Sequence, residues 1–396
     1  MEKMKKLNND DELKSNTTSV ERAVALIKRS PTEEILTEER LVEYLNNGVK
    51  LNHYIGFEIS GMVHLGTGLV SMQKVADLQE AGANTSIFLA DYHTAINNKL
   101  GGDIDNIRKI ALGYFSKALQ QSIKCVGGDP ERTKVVLASD FYRKDALKYL
   151  EDVINVAKGM SLNRAKRSIT ILGRKSGDEV SLAQLLYVPM QVADIYSQDL
   201  NLPHAGMDQR KAHVVALDTS KNFKYSPVAL HHHLLMGINI TEEQRKQVLE
   251  AKHQKDREKL DNSIIDIKMS KSKPSSAIFV HDSEEDIRAK INKALCPPKE
   301  TEVNPVIDII RYIIAPIFER RGRTIEVPNA KTGATRNFNN IKELEEAYTK
   351  GEIHPLDLKS MTADNLISIL EPARKYFSSG EGLRYLNELK ELMITR

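Results

Sequence analysis

Apolar residues recur along this chain with two periods, and the alternation between them outlines a fold. Val20, Ala23, Val24 and Ile27 fall at i, i+3, i+4 and i+7, and Ile35, Leu36, Leu41, Tyr44 and Leu45 follow. Residues 20–47 therefore read as helical, with a break at Pro31 and a new start at Thr37 before Glu38 and Glu39. Residues 53–59, HYIGFEI, read as a buried strand. Ser60 and Gly61 turn the chain, and HLGTG opens an amphipathic helix carried by Leu69, Val70, Met72, Val75, Ala76 and Leu78, stopped by Gly82. Residues 86–90 form a second strand ending at Asp91-Tyr92-His93, residues 107–123 a helix and residues 134–138 a third strand. Strands and helices at this spacing predict a parallel α/β sheet with right-handed crossovers.

The strand pattern then pauses. Residues 140–197 read as mostly helical and include the basic run Arg164-Ala165-Lys166-Arg167; weaker strand signals return at 202–205 and 227–231. Residues 241–260 predict a charged helix with few apolar anchors (Val248, Leu249, Leu260), best read as a solvated spacer. Helical runs at 283–293 and 305–318 flank a proline-rich linker, and three more follow at 341–349, 363–376 and 380–393. Between them, residues 320–337 place Arg320, Arg321, Arg323, Lys331 and Arg336 against one acid, Glu326. The expected fold class is α/β: a Rossmann-type parallel sheet split by a helical connective insertion, followed by an all-helical C-terminal domain. The expected segments are a polar arm at 1–18, a catalytic domain at 19–240 with its insertion at about 140–197, the charged helix and following loop at 241–280, and the helical domain at 281–396.

Composition changes this picture little. Apolar residues make up 41% and charged residues 28%, with a net charge of +3, so the total implies no strong polyelectrolyte partner. Cys125 and Cys296 are the only cysteines, which excludes a disulfide framework or a cysteine-built zinc site and fits a reducing cytosol. The first 18 residues lack the apolar stretch of a signal peptide, and no apolar run is long enough to span a membrane. A cytoplasmic protein is expected.

Two motifs carry candidate chemistry. In Lys268-Met269-Ser270-Lys271-Ser272 (KMSKS), two ammonium groups stand three residues apart in a loop-like run. Lysine suits the task of closing on a polyphosphate, because it is a compact charge on a flexible stem. In His64-Leu65-Gly66-Thr67-Gly68, a strand passes into a helix whose free N–H groups and partial positive charge favour phosphate. Gly66 and Gly68 allow close approach of a nucleotide, and His64 can donate to a phosphate oxygen. His231-His232-His233 invites a metal reading, but adjacent strand residues point to opposite faces and do not converge on one ion, so no metal site is assigned.

HLGTG with KMSKS about two hundred residues later resembles the paired HIGH and KMSKS signatures of class I aminoacyl-tRNA synthetases. YIGFEISGMVHLG (54–66), FLADYH (88–93), YVPMQVADI (187–195), AGMDQRKAH (205–213) and HPLDLK (354–359) together resemble the archaeal or eukaryotic-type tyrosyl-tRNA synthetases, from about residue 25 onward. The resemblance implies that L-tyrosine is activated with ATP and Mg²⁺ and transferred to the 3′-terminal adenosine of tRNA(Tyr), by a homodimer in which one tRNA contacts both subunits.

It also implies roles. Tyr54 and Asp194 would hold the substrate phenol, and phenylalanine would leave both unpaired. Tyr187, Gln191 and Asp194 are spaced to share one helix face. By resemblance Tyr187, Gln191 and Gln209 grip the tyrosine ammonium, with Glu58 close by. Gly56, His64, Gly66 and Lys271 bind ATP, and His64, Thr67, Lys268 and Lys271 are the catalytic set. Arg167, Arg210 and Lys211 would hold the acceptor stem, and His354 and Asp357 the anticodon guanine. Two departures stand out. Thr67 replaces the second histidine of HIGH, and Lys331-Thr332-Gly333 replaces an aromatic before a glycine pair, leaving Phe338 as the candidate stacking partner. The alternatives are the tryptophan enzyme, which has no need of a buried Tyr54–Asp194 pair, and a non-catalytic RNA-binding relative, for which Thr67 speaks.

Overall fold

The computed structural model describes residues 19–172, 179–270 and 274–394; the arm expected at 1–18 and the lysine at position 271 lie outside them. Among the described residues one sheet has six strands: β1 (Thr32–Leu36), β2 (His53–Phe57), β3 (Thr85–Leu89), β4 (Thr133–Leu137), β5 (Leu202–Gly206) and β6 (Ala229–His232). Their order is β1-β6-β5-β2-β3-β4, and β2 with β5 and β5 with β6 run parallel. From β2 the chain steps outward to β3 and β4, then returns to lay β5 and β6 on the other side. That reversal leaves a switch point between β2 and β5, where doubly wound sheets bind ligands beyond the strand C-termini. This is the Rossmann-type sheet expected from the sequence, and the segment interrupting it between β4 and β5 is helical as expected.

Strands covered on both faces read as continuous apolar runs, and His53, Tyr54 and Ile55 are buried in succession. Ile27, Leu41, Leu51, Leu78, Leu202, Val228 and Leu230 pack as one core cluster.

Residues 32–36 correct the helical reading of 20–47. The first helix stops at residue 28, and β1 lies antiparallel to β6, with Ile35 opposite Leu230 and Leu36 opposite Ala229. A five-residue TEEIL segment has little preference of its own, and pairing with the sheet edge decides its state. The stretch 241–267 is also corrected. It is a pair of helices, Glu242–His253 and Arg257–Ile267, and not a free spacer. Thr241 and Gln244 form a capping box at its start, and Val248 and Ile267 bury against Ile240, with Leu260 packed alongside.

The C-terminal region is helical, as expected, with one addition. β7 (Ile325–Pro328) and β8 (Thr335–Phe338) form an antiparallel hairpin within the basic stretch. Its signal was a short alternation, Ile325 and Val327 buried and Glu326 exposed, masked by the surrounding arginines.

The chain forms two compact units, interleaved in sequence. One holds the chain up to Phe57, Lys74–Phe88 and Glu131–His232; the other holds Glu58–Gln73, Leu89–Pro130 and the chain from His233 onward. No helix among the described residues is long and apolar enough to cross a membrane.

Candidate functional site

In the first unit the sheet and one helix build a polar cluster inside apolar walls. Tyr54 on β2 is 3% exposed and sets its ring edge-on to Phe88. The helix Tyr187–Ser197 buries Val188, Val192 and Ile195, which turns Tyr187, Gln191 and Asp194 to a common face. Asp194 is only 2% exposed. A buried carboxylate is costly unless hydrogen bonded, and here its Oδ1 accepts from the Tyr142 hydroxyl (2.8 Å) and the Tyr149 hydroxyl (2.9 Å). The two donor rings stack at 4.0 Å between centroids.

Burial, with the Asp194 charge second, pushes the Tyr54, Tyr142 and Tyr149 phenols above their usual range, so all three keep their protons. The Asp194 charge is thus felt at Tyr54, joining the two residues expected to hold a phenol. Gln191 Nε2 donates to Gln209 Oε1 (3.3 Å), and Gln209 Nε2 to the Ile171 carbonyl (3.3 Å), bringing together the two glutamines expected at the ammonium. Gly56, at the end of β2, is exposed.

Sequence reasoning missed Tyr142 and Tyr149. Tyr149, Asp152, Val153 and Val156 fall on one face of the helix Ala146–Lys158. That face packs on the helix of Asp194, where Ser197 hydrogen bonds Asp152 (2.8 Å). The signal was this helical stripe with a tyrosine and an aspartate in it.

In the second unit, Gly61 turns the chain at φ 128°, a conformation other residues rarely adopt. His64 Nδ1 accepts from the Gly66 N–H (3.1 Å), which puts the imidazole proton on Nε2, and Nε2 lies 3.2 Å from Thr67 Oγ1. Threonine at 67 thus meets the one nitrogen of His64 that can donate. Gly68 admits no side chain: a Cβ there would stand 2.7 Å from Val280 and 2.8 Å from Ser122 Oγ.

Val63 and Leu65 are zipped to the segment after KMSKS, Leu65 N–H to the Ile278 carbonyl (2.9 Å) and Val280 N–H to the Val63 carbonyl (3.0 Å). Lys268 ends the helix Arg257–Ile267 and is half-buried, bridged to Met236. So HLGTG and the described part of KMSKS belong to one hydrogen-bonded assembly. Glu58 is also in this unit, with Asn97 Nδ2 donating to both its oxygens (3.0 and 3.2 Å).

Of the expected RNA contacts, Arg167 and Lys211 are exposed. Arg210 is not simply presented to solvent: its Nε donates to both oxygens of Glu34 on β1 (2.9 and 2.7 Å). In the second unit His354 caps the helix Pro355–Ile369, accepting from the Leu356 N–H (3.2 Å). Asp357 is 9% exposed and accepts from the Ala330 N–H in the hairpin turn (3.2 Å). His231 and His232 are on β6 and engage different neighbours, His213 (2.9 Å) and His204 (2.7 Å). His233 pairs with Asp308 (3.0 Å).

Residues 46–371 match the family model of class I tRNA synthetases (W and Y). The chain is 47% identical to a tyrosine–tRNA ligase of Thermococcus kodakarensis, covering 94% of this chain and 99% of that protein. It is 45% identical to tyrosine–tRNA ligase 1 of Pyrobaculum aerophilum, over 95% of this chain and all of the other. The crystal structure of tyrosyl-tRNA synthetase from Pyrococcus horikoshii complexed with L-tyrosine superposes with a TM-score of 0.85 at 42% identity, covering 95% of this chain and 100% of that one. The chain therefore belongs to the class I tRNA synthetases of the tryptophan and tyrosine family, on its archaeal-type tyrosyl branch.

Proposed function

We propose that this protein is a tyrosine–tRNA ligase, which activates L-tyrosine with ATP to tyrosyl-adenylate and transfers tyrosine to the 3′-terminal adenosine of tRNA(Tyr). The observation that carries the reading is the buried Asp194 carboxylate, which holds two phenol hydroxyls and acts on a third, that of Tyr54. Such a group rewards a ligand hydroxyl and penalises its absence. Tyr54 and Asp194 take the substrate phenol, and Tyr187, Gln191 and Gln209 its ammonium.

An oxygen of the tyrosine carboxylate attacks the α-phosphorus of ATP in line, the bond to the bridging oxygen breaks, and pyrophosphate leaves. A ribose hydroxyl of the terminal adenosine then attacks the acyl carbon, gives up its proton, and AMP leaves. No side-chain nucleophile is needed; positioning and charge stabilisation do the work. Gly56 and Gly66 leave room for the nucleotide. His64 through Nε2–H, Thr67, Lys268 and Lys271 stabilise the phosphates. Among the described residues no cluster of three or more His, Cys, Asp or Glu is arranged to hold a metal ion. A Mg²⁺ would arrive coordinated by the ATP phosphates, and no step is assigned to it.

Arg167, Arg210 and Lys211 receive the acceptor stem, Arg210 by sharing its pair with Glu34. Asp357, with His354 beside it, reads the donor edge of an anticodon guanine. A homodimer is supported by Leu147, Leu150 and Ile154, 68%, 53% and 49% exposed at i, i+3 and i+7 of one helix. A monomer mass by light scattering at micromolar concentration would overturn it. The free thiols Cys125 and Cys296 support a cytoplasmic setting.

The test is ATP–pyrophosphate exchange with tyrosine, tryptophan and phenylalanine. Exchange with tyrosine alone supports the reading, and exchange with tryptophan, or with none of the three, sinks it. In the same assay Lys271→Ala lowers the adenylate-forming rate by about two orders of magnitude with tyrosine affinity little changed, as loss of one charge clamp does; equal rates would remove Lys271 from the mechanism.

A further inference from the structure

We propose that Asp308 is a positioning residue for ATP: without touching substrate, it fixes through residues 233–236 the backbone from which Lys268 is presented. The proposal rests on the ligase reading above.

The anchor is the short capped helix Pro305–Ile309. Asn304 Oδ1 caps the N–H groups of Val306 (3.1 Å) and Ile307 (3.2 Å), and Val306, Ile307, Ile309 and Ile310 are fully buried. Asp308 lies in the first turn, where the helix dipole favours a negative charge, and is 1% exposed. Its two oxygens are divided. Oδ1 accepts from His233 Nε2 (3.0 Å), and Oδ2 accepts from the Met236 N–H (2.9 Å). The His233 ring also stacks on Tyr312, 3.6 Å between centroids and 10° from parallel. One helix thus grips both ends of the segment 233–236.

The same segment carries the motif. Leu235 accepts from the Met269 N–H (2.7 Å), Met236 is bridged antiparallel to Lys268, and Gly237 N–H donates to the Ile267 carbonyl (2.8 Å). Leu235 also faces HLGTG, its Cβ 3.6 Å from where a Cβ on Gly66 would stand. A carboxylate buried in an isoleucine-rich helix is a poor choice for stability alone, because an apolar residue of similar volume is often as good or better. Its two acceptors instead fix where the Lys268 backbone sits relative to the glycine turn.

The test combines exchange kinetics with equilibrium dialysis of ATP and of tyrosine, on wild type, Asp308→Asn, His233→Gln and His233→Leu. Asp308→Asn is expected to lose about tenfold to a hundredfold in kcat/KM for ATP, the scale of a small misplacement of a catalytic group, with tyrosine affinity held. His233→Gln keeps an N–H donor near the Nε2 position and retains activity, whereas His233→Leu follows Asp308→Asn. Unchanged ATP parameters in Asp308→Asn and His233→Leu overturn the proposal, as does an equal fall in tyrosine and ATP affinity, which marks general damage. A wild type with no tyrosine-dependent exchange sinks the ligase reading instead, and ATP dialysis still reads the clamp.

Discussion

Replacing Asp194 by asparagine lowers kcat/KM for tyrosine by about a hundredfold or more, the worth of roughly 3 kcal/mol for a hydrogen bond to a charged group. The expectation follows from burial. At 2% exposure Asp194 has no bulk water to replace a lost partner, and its Oδ1 already organises the Tyr142 and Tyr149 hydroxyls. Asparagine keeps the volume but removes the charge, and its amide offers donors toward groups that are themselves donors. Both the substrate contact and the two tyrosines suffer. Tyr149→Phe should weaken tyrosine binding less, because Tyr142 still holds the carboxylate. The check is tyrosine-dependent pyrophosphate exchange read as KM and kcat separately, beside tyrosine dialysis. An Asp194→Asn protein that binds tyrosine as wild type does removes this residue from recognition.

Acid unfolds this protein earlier than its carboxylates alone require. In the first unit His53 Nε2 lies 3.1 Å from His204 Nδ1, and His204 Nε2 lies 2.7 Å from His232 Nδ1. His213 and His231 form a second pair at 2.9 Å, and His231 borders Glu34 at 3.1 Å. Burial lowers the His53 pKa to about 3. Burial, then the Arg210 charge, lowers His231 to about 3. Burial followed by neighbouring imidazoles lowers His204 and His213 as well.

The folded pKa values of His53 and His231, about 3, lie below the unfolded value of about 6.5, so between about pH 6.5 and pH 3 the unfolded chain binds more protons at these two, and His204 and His213 act in the same direction. Stability is full above that window and falls as acid is added through it. Each such imidazole contributes a slope of about 1.4 kcal/mol per pH unit, or about 2 kcal/mol lost between pH 7 and pH 5. Against a total of about 5–15 kcal/mol, His53 and His231 alone are a large share. Denaturant unfolding at steps between pH 7 and pH 5, above the carboxylate range, measures the slope directly. A flat stability across that interval would refute the neutral buried network.

The strand-to-helix turn at HLGTG, the helix face of Tyr187, Gln191 and Asp194, and much of the order of strands and helices were legible in the sequence, because each is local. A glycine turn, a 3.6-residue period and a pair of lysines are written in neighbouring letters. The edge strand 32–36 and the hairpin within 325–338 were not, since short segments take their state from the partner they pair with.

The same division runs through the chemistry. By itself the chain determined which residue types are available to hold a phenol and a polyphosphate, since spacing and side-chain chemistry need no fold. Only the tertiary structure decided that Tyr142 and Tyr149 steady Asp194, that Glu34 engages Arg210, and that Asp308 holds the backbone behind Lys268. Those partners are separated by 32 to 176 positions, and no local pattern encodes a contact that burial and chain crossover create.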